Sequence, residues 1–239
     1  MTKTIKGSVV LITGASGAIA QALIAVLTAR SAAKIYGAAR DISGLVASDR
    51  LVPLKMDVSS DDDVAKAAAL ATDVTLLINN AGINHNTSFM TAPDLAMARE
   101  EIEVNYLAPL RVTRAFAPAL IKNHGAVLNI LTILSRVNLP LMGSYCASKA
   151  AGLSLTQGLR GELAPRGVRI AAALPGAVDT RMTAGLPIPK MTPADAATEI
   201  LNGFEAGEEE IYVGEMARGL AHGLAHDPKA VERQLASPG

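Results

Sequence analysis

The fold is set by one short stretch, Ser8-Val-Val-Leu-Ile-Thr13-Gly14-Ala-Ser-Gly17-Ala-Ile-Ala20. Its apolar start is typical of a buried strand, and residues 18–30 have the composition of a helix. The Gly-x-x-Gly-x-x-Ala turn between them lets the backbone approach a pyrophosphate at a helix N-terminus. A plain glycine-rich turn is the alternative, but the position between a strand and a helix favours a nucleotide site. The candidate cofactor contacts in this turn are Gly14, Ser16, Gly17 and Ile19.

Strands and helices alternate along the rest of the chain. Further strands are predicted at 33–39, 51–56, 74–79, 126–132, 168–174 and 211–213. Long helical stretches are predicted at 93–123, 144–164 and 195–207. This order predicts an α/β fold with a doubly wound parallel sheet, a Rossmann fold of three layers.

The composition bounds the class of protein. Half of the 239 residues are apolar, only 3% are aromatic and Trp is absent, as expected of a parallel sheet covered by helices. We find no repeat and no low-complexity linker, so a single domain over 1–239 is predicted. The formal net charge is zero, which argues against a nucleic-acid or anionic-membrane partner.

Compartment and metal content follow from a few residues. The single Cys146 has no internal disulfide partner, which fits a reducing compartment, and a cytoplasmic location is predicted. The apolar run at 8–13 is too short for a signal peptide, and the longer apolar runs are interrupted, so no membrane span is expected. His222 and His226 have the spacing of a ligand pair but are expected to face solvent, so no metal site is predicted.

The end of the second predicted strand indicates which nicotinamide is used. An acidic residue near this point binds a ribose hydroxyl, whereas an arginine accommodates a 2′-phosphate. The strand ends Ala38-Ala39-Arg40 and Asp41 follows, with Ser16 as a further phosphate contact. Alternation along the strand would turn Asp41 away from Arg40. NADP(H) is therefore predicted, with NAD(H) as the alternative if Asp41 binds the ribose; a solvated Arg40 is the other interpretation.

Two further strand ends carry candidate contacts. Asp57-Val58 follows the third strand, where Asp57 is placed to accept a hydrogen bond from an adenine amino group, while Ser59 or Ser60 caps the next helix. Asn80-Ala81-Gly82 follows the fourth strand, and ligands of open α/β sheets bind at such carboxyl ends.

The chemistry is expected from Tyr145-Cys-Ala-Ser-Lys149. On a helix these two side chains lie on one face, and a nearby ammonium favours the phenolate. A solvated helix face is the alternative for the spacing alone. Asn105, within an apolar helical stretch, is either a satisfied core amide or the holder of a water near the site.

The chain resembles the short-chain dehydrogenases/reductases of the one-domain type. The resemblance spans residues 8–213 and rests on motifs in the family's order. They are Thr13-Gly14, Asp57-Val58, Asn79-Asn80-Ala81-Gly82, Asn105, Tyr145-x-x-x-Lys149, and Pro175-Gly176 with Thr180. Two positions depart from the pattern: Ala18 and Ala20 stand where glycines are usual, and Thr132 stands where the catalytic serine is usual, with Ser135 as a fallback hydroxyl.

The resemblance implies a role for each residue. Tyr145 is the general acid/base, Lys149 lowers the pKa of Tyr145 and binds the nicotinamide ribose, Asn105 holds a relay water, and Thr132 hydrogen-bonds the carbonyl oxygen. The implied cofactor contacts also include Asn80, Ala81, Gly82, Pro175, Gly176, Val178 and Thr180.

These assignments predict an NADP(H)-dependent oxidoreductase that interconverts a small-molecule carbonyl compound and an alcohol. A substrate lid is expected near 181–193, and the family's habit implies a homodimer or homotetramer. Two alternatives stay open: a catalytically silent NADP(H)-binding regulatory protein, and a non-redox isomerase on the same fold.

Overall fold

The structure, a computed structural model, describes residues 4–236, so both ends of the predicted 1–239 domain lie outside the described residues. Seven strands form one parallel sheet. They are β1 (Val9–Thr13), β2 (Lys34–Ala39), β3 (Leu51–Lys55), β4 (Leu76–Asn79), β5 (Ala126–Ile130), β6 (Arg169–Pro175) and β7 (Glu210–Val213).

The strand order is β3-β2-β1-β4-β5-β6-β7, and every pairing is parallel. The order reverses between β1 and β4, whose registers place Ile12 beside Ile78. In open sheets of this kind, ligands bind outside the carboxyl ends at the reversal. The predicted doubly wound parallel sheet is confirmed, and its topology directs attention to the edge where β1 and β4 end.

Eight helices accompany the sheet in the described part of the chain. They are α1 (Ala18–Ala29), α2 (Asp61–Leu70), α3 (Ala96–Ile102), α4 (Ala108–Lys122), α5 (Gly143–Leu163), α6 (Pro193–Ala206), α7 (Gly214–His226) and α8 (Pro228–Ala236). No helix of residues 4–236 is long and apolar enough to cross a membrane.

The two faces of the sheet bury separate apolar cores. On one face, residues of α1 and α6 such as Leu23 and Ile200 pack against β1, β4 and β5. On the other, residues of α2, α4 and α5 such as Val64, Phe116 and Leu159 pack against the same strands. Fully burying side chains of this size contributes roughly 1.5–3 kcal/mol each. The three layers hold the strand ends rigidly at the carboxyl edge.

The helical stretch predicted at 93–123 is observed from Ala96 to Lys122, but it is not one regular α-helix. A π-helical turn over Glu103–Leu107 separates α3 from α4, and Asn105 lies in it. Turns of this type are rare, occur mostly inside α-helices and are frequent at functional sites. The sequence does not reveal the turn, because its residues have ordinary helical composition.

Helix ends follow the local sequence. Ser60 caps α2 by accepting from the N–H of Asp63 at 3.2 Å, as predicted, and Thr192 caps α6 in the same way. Such caps contribute about 1 kcal/mol each. By contrast, the N-cap residue of α1 is Gly17, which has no side chain to cap the helix, and the first turn of α1 has no acidic residue. The free N–H groups of that turn are thus left for another partner.

Candidate active site

The ends of β1 and β4 are joined by a hydrogen-bonded clamp. The Thr13 hydroxyl accepts from the backbone N–H groups of Asn80 and Ala81, each at 3.0 Å. The Asn80 amide donates to the carbonyls of Thr13 at 3.0 Å and Gly14 at 3.3 Å. Gly14 has a φ of +64°, and a Cβ on it would lie 2.9 Å from the Ala81 Cα. A glycine is therefore required here. The hydrogen bonds between the ends of β1 and β4 fix the base of a crevice.

The first turn of α1 opens into this crevice. With no side-chain cap and no acidic residue in this turn, its N–H groups and the helix dipole present a positive end. Ser16 is exposed beside it, and Ile19 is half-buried. Ala20, at a position where the family has glycine, is fully buried against the sheet, so a methyl group fits there. These features fit the pyrophosphate of a dinucleotide.

Arg40 lies directly after β2 with its side chain exposed, and it makes no hydrogen bond or ion pair within residues 4–236. Asp41 is turned into its own loop, where its carboxylate accepts from the N–H of Ser43 at 2.9 Å. That contact, chiefly with the Ser43 backbone, lowers the pKa of Asp41. The arrangement leaves a guanidinium free at the strand end, which suits a phosphate.

Asp57 and Val58 follow β3. One Asp57 carboxylate oxygen accepts from the Ser59 hydroxyl at 2.6 Å and its N–H at 2.9 Å. These bonds hold the pKa of Asp57 below its usual value, with a smaller contribution from the charge of Arg40. The Val58 carbonyl accepts from Arg111 at 3.1 Å. Asp57 thus lies close enough to Arg40, at the end of the neighbouring strand, for the two charges to interact.

Tyr145 and Lys149 lie on the first turns of α5, where they face the sheet. Both are buried, with 8% and 5% of their surface exposed. The Lys149 ammonium lies 5.9 Å from the centroid of the Tyr145 ring and donates to the Ile130 carbonyl at 3.1 Å. A solvated helix face is thus excluded for this pair.

Burial sets the ionisation of both groups. It lowers the pKa of Lys149 to about 8. It also raises the pKa of the Tyr145 phenol, and the charges of Cys146 and Glu101 act in the same direction. The net pKa shift of Tyr145 is therefore upward, contrary to the predicted lowering by Lys149, because desolvation of the phenolate outweighs an ammonium at this separation.

Asn105 is fully satisfied by the protein. Its amide accepts from the Ile83 N–H and donates to the Ile83 carbonyl, both at 2.9 Å, and donates to Ser148 at 2.9 Å. Gly82 separates it from Lys149, since a Cβ on Gly82 would lie 3.1 Å from both side chains. The close approach requires glycine, and it brings together three of the predicted residues.

The two candidate hydroxyls of the loop after β5 are placed differently. Thr132 donates to the Pro175 carbonyl at 3.2 Å and accepts from the Leu134 N–H at 3.3 Å. Ser135 has a buried hydroxyl with no hydrogen-bond partner in the described chain. Thr132 must therefore exchange an existing bond before it can donate to a ligand.

The segment after β6 completes the crevice. Gly176 packs closely on α7, where a Cβ would lie 3.0 Å from the Met216 Cβ. Val178 is buried and pairs with Met191, and Thr180 caps the short turn Arg181–Thr183 together with Thr183. The predicted lid at 181–193 thus begins at a turn that Thr180 and Thr183 hold in place.

The sequence did not point to one buried residue, Glu101. Glu101 is 0% exposed; one of its carboxylate oxygens accepts from the His85 N–H at 2.8 Å, and the other has no partner in the described residues. It lies one helical turn before Asn105 and, like Asn105, holds the backbone that follows Gly82. The signal that could have found it is the i, i+4 spacing from Asn105.

Within residues 4–236, no three His, Cys, Asp or Glu side chains are grouped as metal ligands. The rings of His222 and His226 stack with centroids 4.2 Å apart on exposed α7.

Comparison with known proteins gives a consistent result. A family model described as short chain dehydrogenase matches residues 8–189. Nodulation protein G of Rhizobium sp. (strain N33) is 33% identical, over 74% of this chain and 76% of its own. Estradiol 17-beta-dehydrogenase 11 of Macaca fascicularis is 28% identical, over 88% of this chain and 76% of its own.

Solved structures agree with these matches. A short chain dehydrogenase from Burkholderia cenocepacia J2315, in complex with NADP, superposes with a TM-score of 0.95 at 43% identity, covering 99% of this chain and 100% of the other. A short-chain dehydrogenase from Streptomyces avermitilis has a TM-score of 0.83 at 24% identity, covering 96% of each chain, which is a likeness of fold.

Proposed function

The chain belongs to the short-chain dehydrogenase family, and we propose that it is an NADP(H)-dependent enzyme that interconverts a carbonyl compound and an alcohol, with Tyr145 as general acid/base. The observation that carries the proposal is the buried Tyr145–Lys149 pair beside Gly82 and Asn105, at the edge where β1 and β4 end. Membership makes the chain an oxidoreductase of this family; the cofactor preference and the residue roles are the proposal.

The residues that would hold the cofactor line the crevice in order. Gly14, Ser16, Gly17 and Ile19 would hold the pyrophosphate, and Arg40 the 2′-phosphate. Asp57 and Val58 would border the adenine, and Asn80, Ala81 and Gly82 the ribose side. Pro175, Gly176, Val178 and Thr180 would flank the nicotinamide. When bound, the reduced nicotinamide supplies a hydride for the carbonyl carbon.

Tyr145 supplies the proton. Because burial raises the pKa of its phenol, the residue is protonated at neutral pH and is ready to donate to a carbonyl oxygen. Lys149, whose pKa is lowered to about 8, is still mostly charged at pH 7 and stabilises the phenolate that donation leaves behind.

The remaining polar groups of the site orient Tyr145 and Lys149. Asn105 and Glu101 fix the backbone that follows Gly82, so the floor beside Lys149 keeps its shape. A relay water held by Asn105 stays a prediction. Thr132 would stabilise the negative charge that develops on the carbonyl oxygen, after releasing the Pro175 carbonyl.

NADP(H) is preferred in this proposal because Arg40 is free and Asp41 is committed to Ser43. The 43% identical Burkholderia protein, solved with NADP, supports the same choice. A regulatory NADP(H)-binding protein without turnover is the second candidate, favoured by the commitment of Thr132 to Pro175.

We also propose a homodimer or homotetramer that pairs through α5. One face of this helix is exposed and built from small residues: Ala147, Ala150, Ser154, Gly158 and Gly161. Nothing lies within 4 Å of a Cβ on Gly158 or Gly161. Gly152 is different, because Leu131 of the same chain packs against it. The lid over 181–193 and the cytoplasmic location remain part of the proposal.

The experiment is a carbonyl panel with NADPH and NADH, followed by the absorbance of the reduced nicotinamide. Oxidation of NADPH with formation of an alcohol supports the enzyme. Tight NADPH binding without turnover of any carbonyl, together with a stable wild-type fold, would favour the regulatory protein instead.

A further inference from the structure

The surface next to Tyr145 is apolar. Met142, Tyr145 and Cys146 are buried together, and four half-buried side chains pack on them. Those four are Leu134, Leu139, Met182 and Leu186. Two of the four belong to the segment 181–193, so the proposed lid turns an apolar face towards the reacting phenol.

Four exposed apolar side chains neighbour this surface, Phe89 by contact and the others along the chain, and we define them as the rim: Phe89, Met90, Leu141 and Ile188. The Phe89 ring packs on α5 two residues before Tyr145, since a Cβ on Gly143 would lie 2.7 Å from it. Leu141 adjoins Met142, and Ile188 follows Leu186 in the lid segment. The rim contains four of the nine large apolar side chains that are exposed in the described chain, with Met90 at 92% and Leu141 at 69%.

His85 and Arg136, on the loops that follow β4 and β5, are paired with other side chains. His85 contacts Glu100 at 2.9 Å, and Arg136 contacts Glu210 at 3.5 Å and hydrogen-bonds the Tyr212 hydroxyl. Arg181 and Lys190 stand at the two ends of the lid segment, outside the apolar cluster.

Behind Tyr145 lies the buried carboxyl of Glu101, which contributes to the raised pKa of the phenol. The Lys149 ammonium, 5.9 Å from the centroid of the Tyr145 ring, opposes the charge of Glu101. The apolar side chains thus define the ligand face, and a carboxylate placed among them would lose its hydration.

We propose that the substrate is an uncharged carbonyl compound, or its alcohol, with a hydrocarbon chain or ring system long enough to extend from Tyr145 to the rim of Phe89, Met90, Leu141 and Ile188. The inference rests on the proposed function and extends it. A small carbonyl compound would leave the rim in water, whereas a longer one would bury apolar surface there.

Chain length gives a quantitative test, because each buried methylene group should improve binding roughly fourfold. The probes are methyl ketones of four to eleven carbons, each paired with the ketone that carries a terminal carboxylate. For the wild type with NADPH, kcat/KM should rise along the neutral series and fall at least about tenfold in each carboxylate partner.

The variant Leu141→Ser tests the rim, and Leu70→Ser on α2 is the matched control, since Leu70 is 60% exposed far from Tyr145 in sequence and on another helix. Leu141→Ser should flatten the rise for the longest ketones through KM, with short ketones unchanged. Leu70→Ser should match the wild type. A flat wild-type series, a preference for the carboxylates, or equal effects of the two variants would overturn the proposal.

A binding measurement separates this inference from the proposed function. Displacement of the fluorescent probe ANS by the same ketones, with NADPH present, reports binding without turnover. Displacement that strengthens with chain length while no ketone is reduced would support the apolar site and refute the reductase. Reduction of ketones without any dependence of binding on chain length would leave the reductase standing and refute the apolar substrate.

Discussion

The first turn of α1 and the first turns of α5 lie at the same edge of the sheet, but they offer a ligand different things. At α1 the polar groups are backbone N–H groups and the exposed side chains of Ser16 and Arg40. At α5 the polar groups are the buried side chains of Tyr145 and Lys149. We call these the phosphate end and the reaction end.

The difference indicates a division of labour. An exposed guanidinium and free N–H groups contribute affinity for a charged ligand and depend on salt. Buried side chains in a low-dielectric setting shift their pKa values and act on charge that develops during reaction. Substitutions at the phosphate end should therefore change binding of NADPH, and those at the reaction end should change turnover.

The largest effect is expected at the reaction end from Tyr145→Phe. The change removes the proton donor and keeps the ring, so kcat should fall roughly 10²- to 10⁴-fold. The dissociation constant for NADPH, measured by its fluorescence, should stay within about twofold. Retained turnover would remove Tyr145 from the mechanism.

Thr132→Val tests the second group at the reaction end. It keeps the shape and removes the hydroxyl, so kcat should fall roughly 10²-fold if this hydroxyl stabilises the developing oxyanion. Thr132→Ser should be close to the wild type, and Ser135→Ala should be mild. The reverse ranking of Thr132→Val and Ser135→Ala would transfer the role to the buried Ser135 hydroxyl.

Arg40→Ala tests the phosphate end. A charge-assisted hydrogen bond contributes about 1.5–3 kcal/mol, so the preference for NADPH over NADH should be roughly 10- to 150-fold and should move towards parity in the variant. Added salt should weaken the wild-type preference, because the exposed pair is screened. The ratio of kcat/KM values with the two cofactors measures it; a wild type that prefers NADH would move the assignment to Asp41.

The substitution Lys149→Met tests the reaction end through its effect on the free energy of unfolding. The folded protein holds Lys149 at a pKa of about 8 against 10.5 for the unfolded chain, so below pH 8 a charged lysine is buried at a cost of about 3 kcal/mol. Loss of the hydrogen bond to Ile130 offsets about 1 kcal/mol of the gain. The free energy of unfolding of the variant should thus be about 2 kcal/mol larger than that of the wild type at pH 7.

The sign of the pH dependence follows. Between pH 8 and 10.5 the unfolded chain binds more protons than the folded one, so the wild type gains stability as the pH rises. The advantage of Lys149→Met should therefore shrink towards pH 10.5 in denaturant titrations. An advantage that is constant with pH would show that the lysine is not buried in its charged form.

The sequence predicted well those features that the backbone forms. The glycine-rich turn, the parallel sheet and the strand ends carrying Arg40, Asp57 and Asn80 are local patterns with a fixed structural meaning. Observed strand bounds differ from the predicted ones by at most two residues, as for β4 (Leu76–Asn79) against 74–79.

Side-chain features of the reaction end were less predictable, because they depend on contacts between distant parts of the chain. The π-helical turn at Asn105, the bond from Thr132 to the Pro175 carbonyl and the buried Glu101 carboxyl all join different elements. The direction of the Tyr145 pKa was missed for the same reason, since burial is a property of the folded molecule.

Transfer of label is the most direct test of the proposed reaction. The protein is incubated in ordinary water with a long-chain methyl ketone and NADPH that carries deuterium at both C4 positions, and the alcohol is analysed by mass spectrometry. The account predicts one deuterium on the carbinol carbon of each alcohol formed, with the hydroxyl proton derived from Tyr145 and water. Binding of the labelled NADPH with no deuterated alcohol from any carbonyl tested would contradict it.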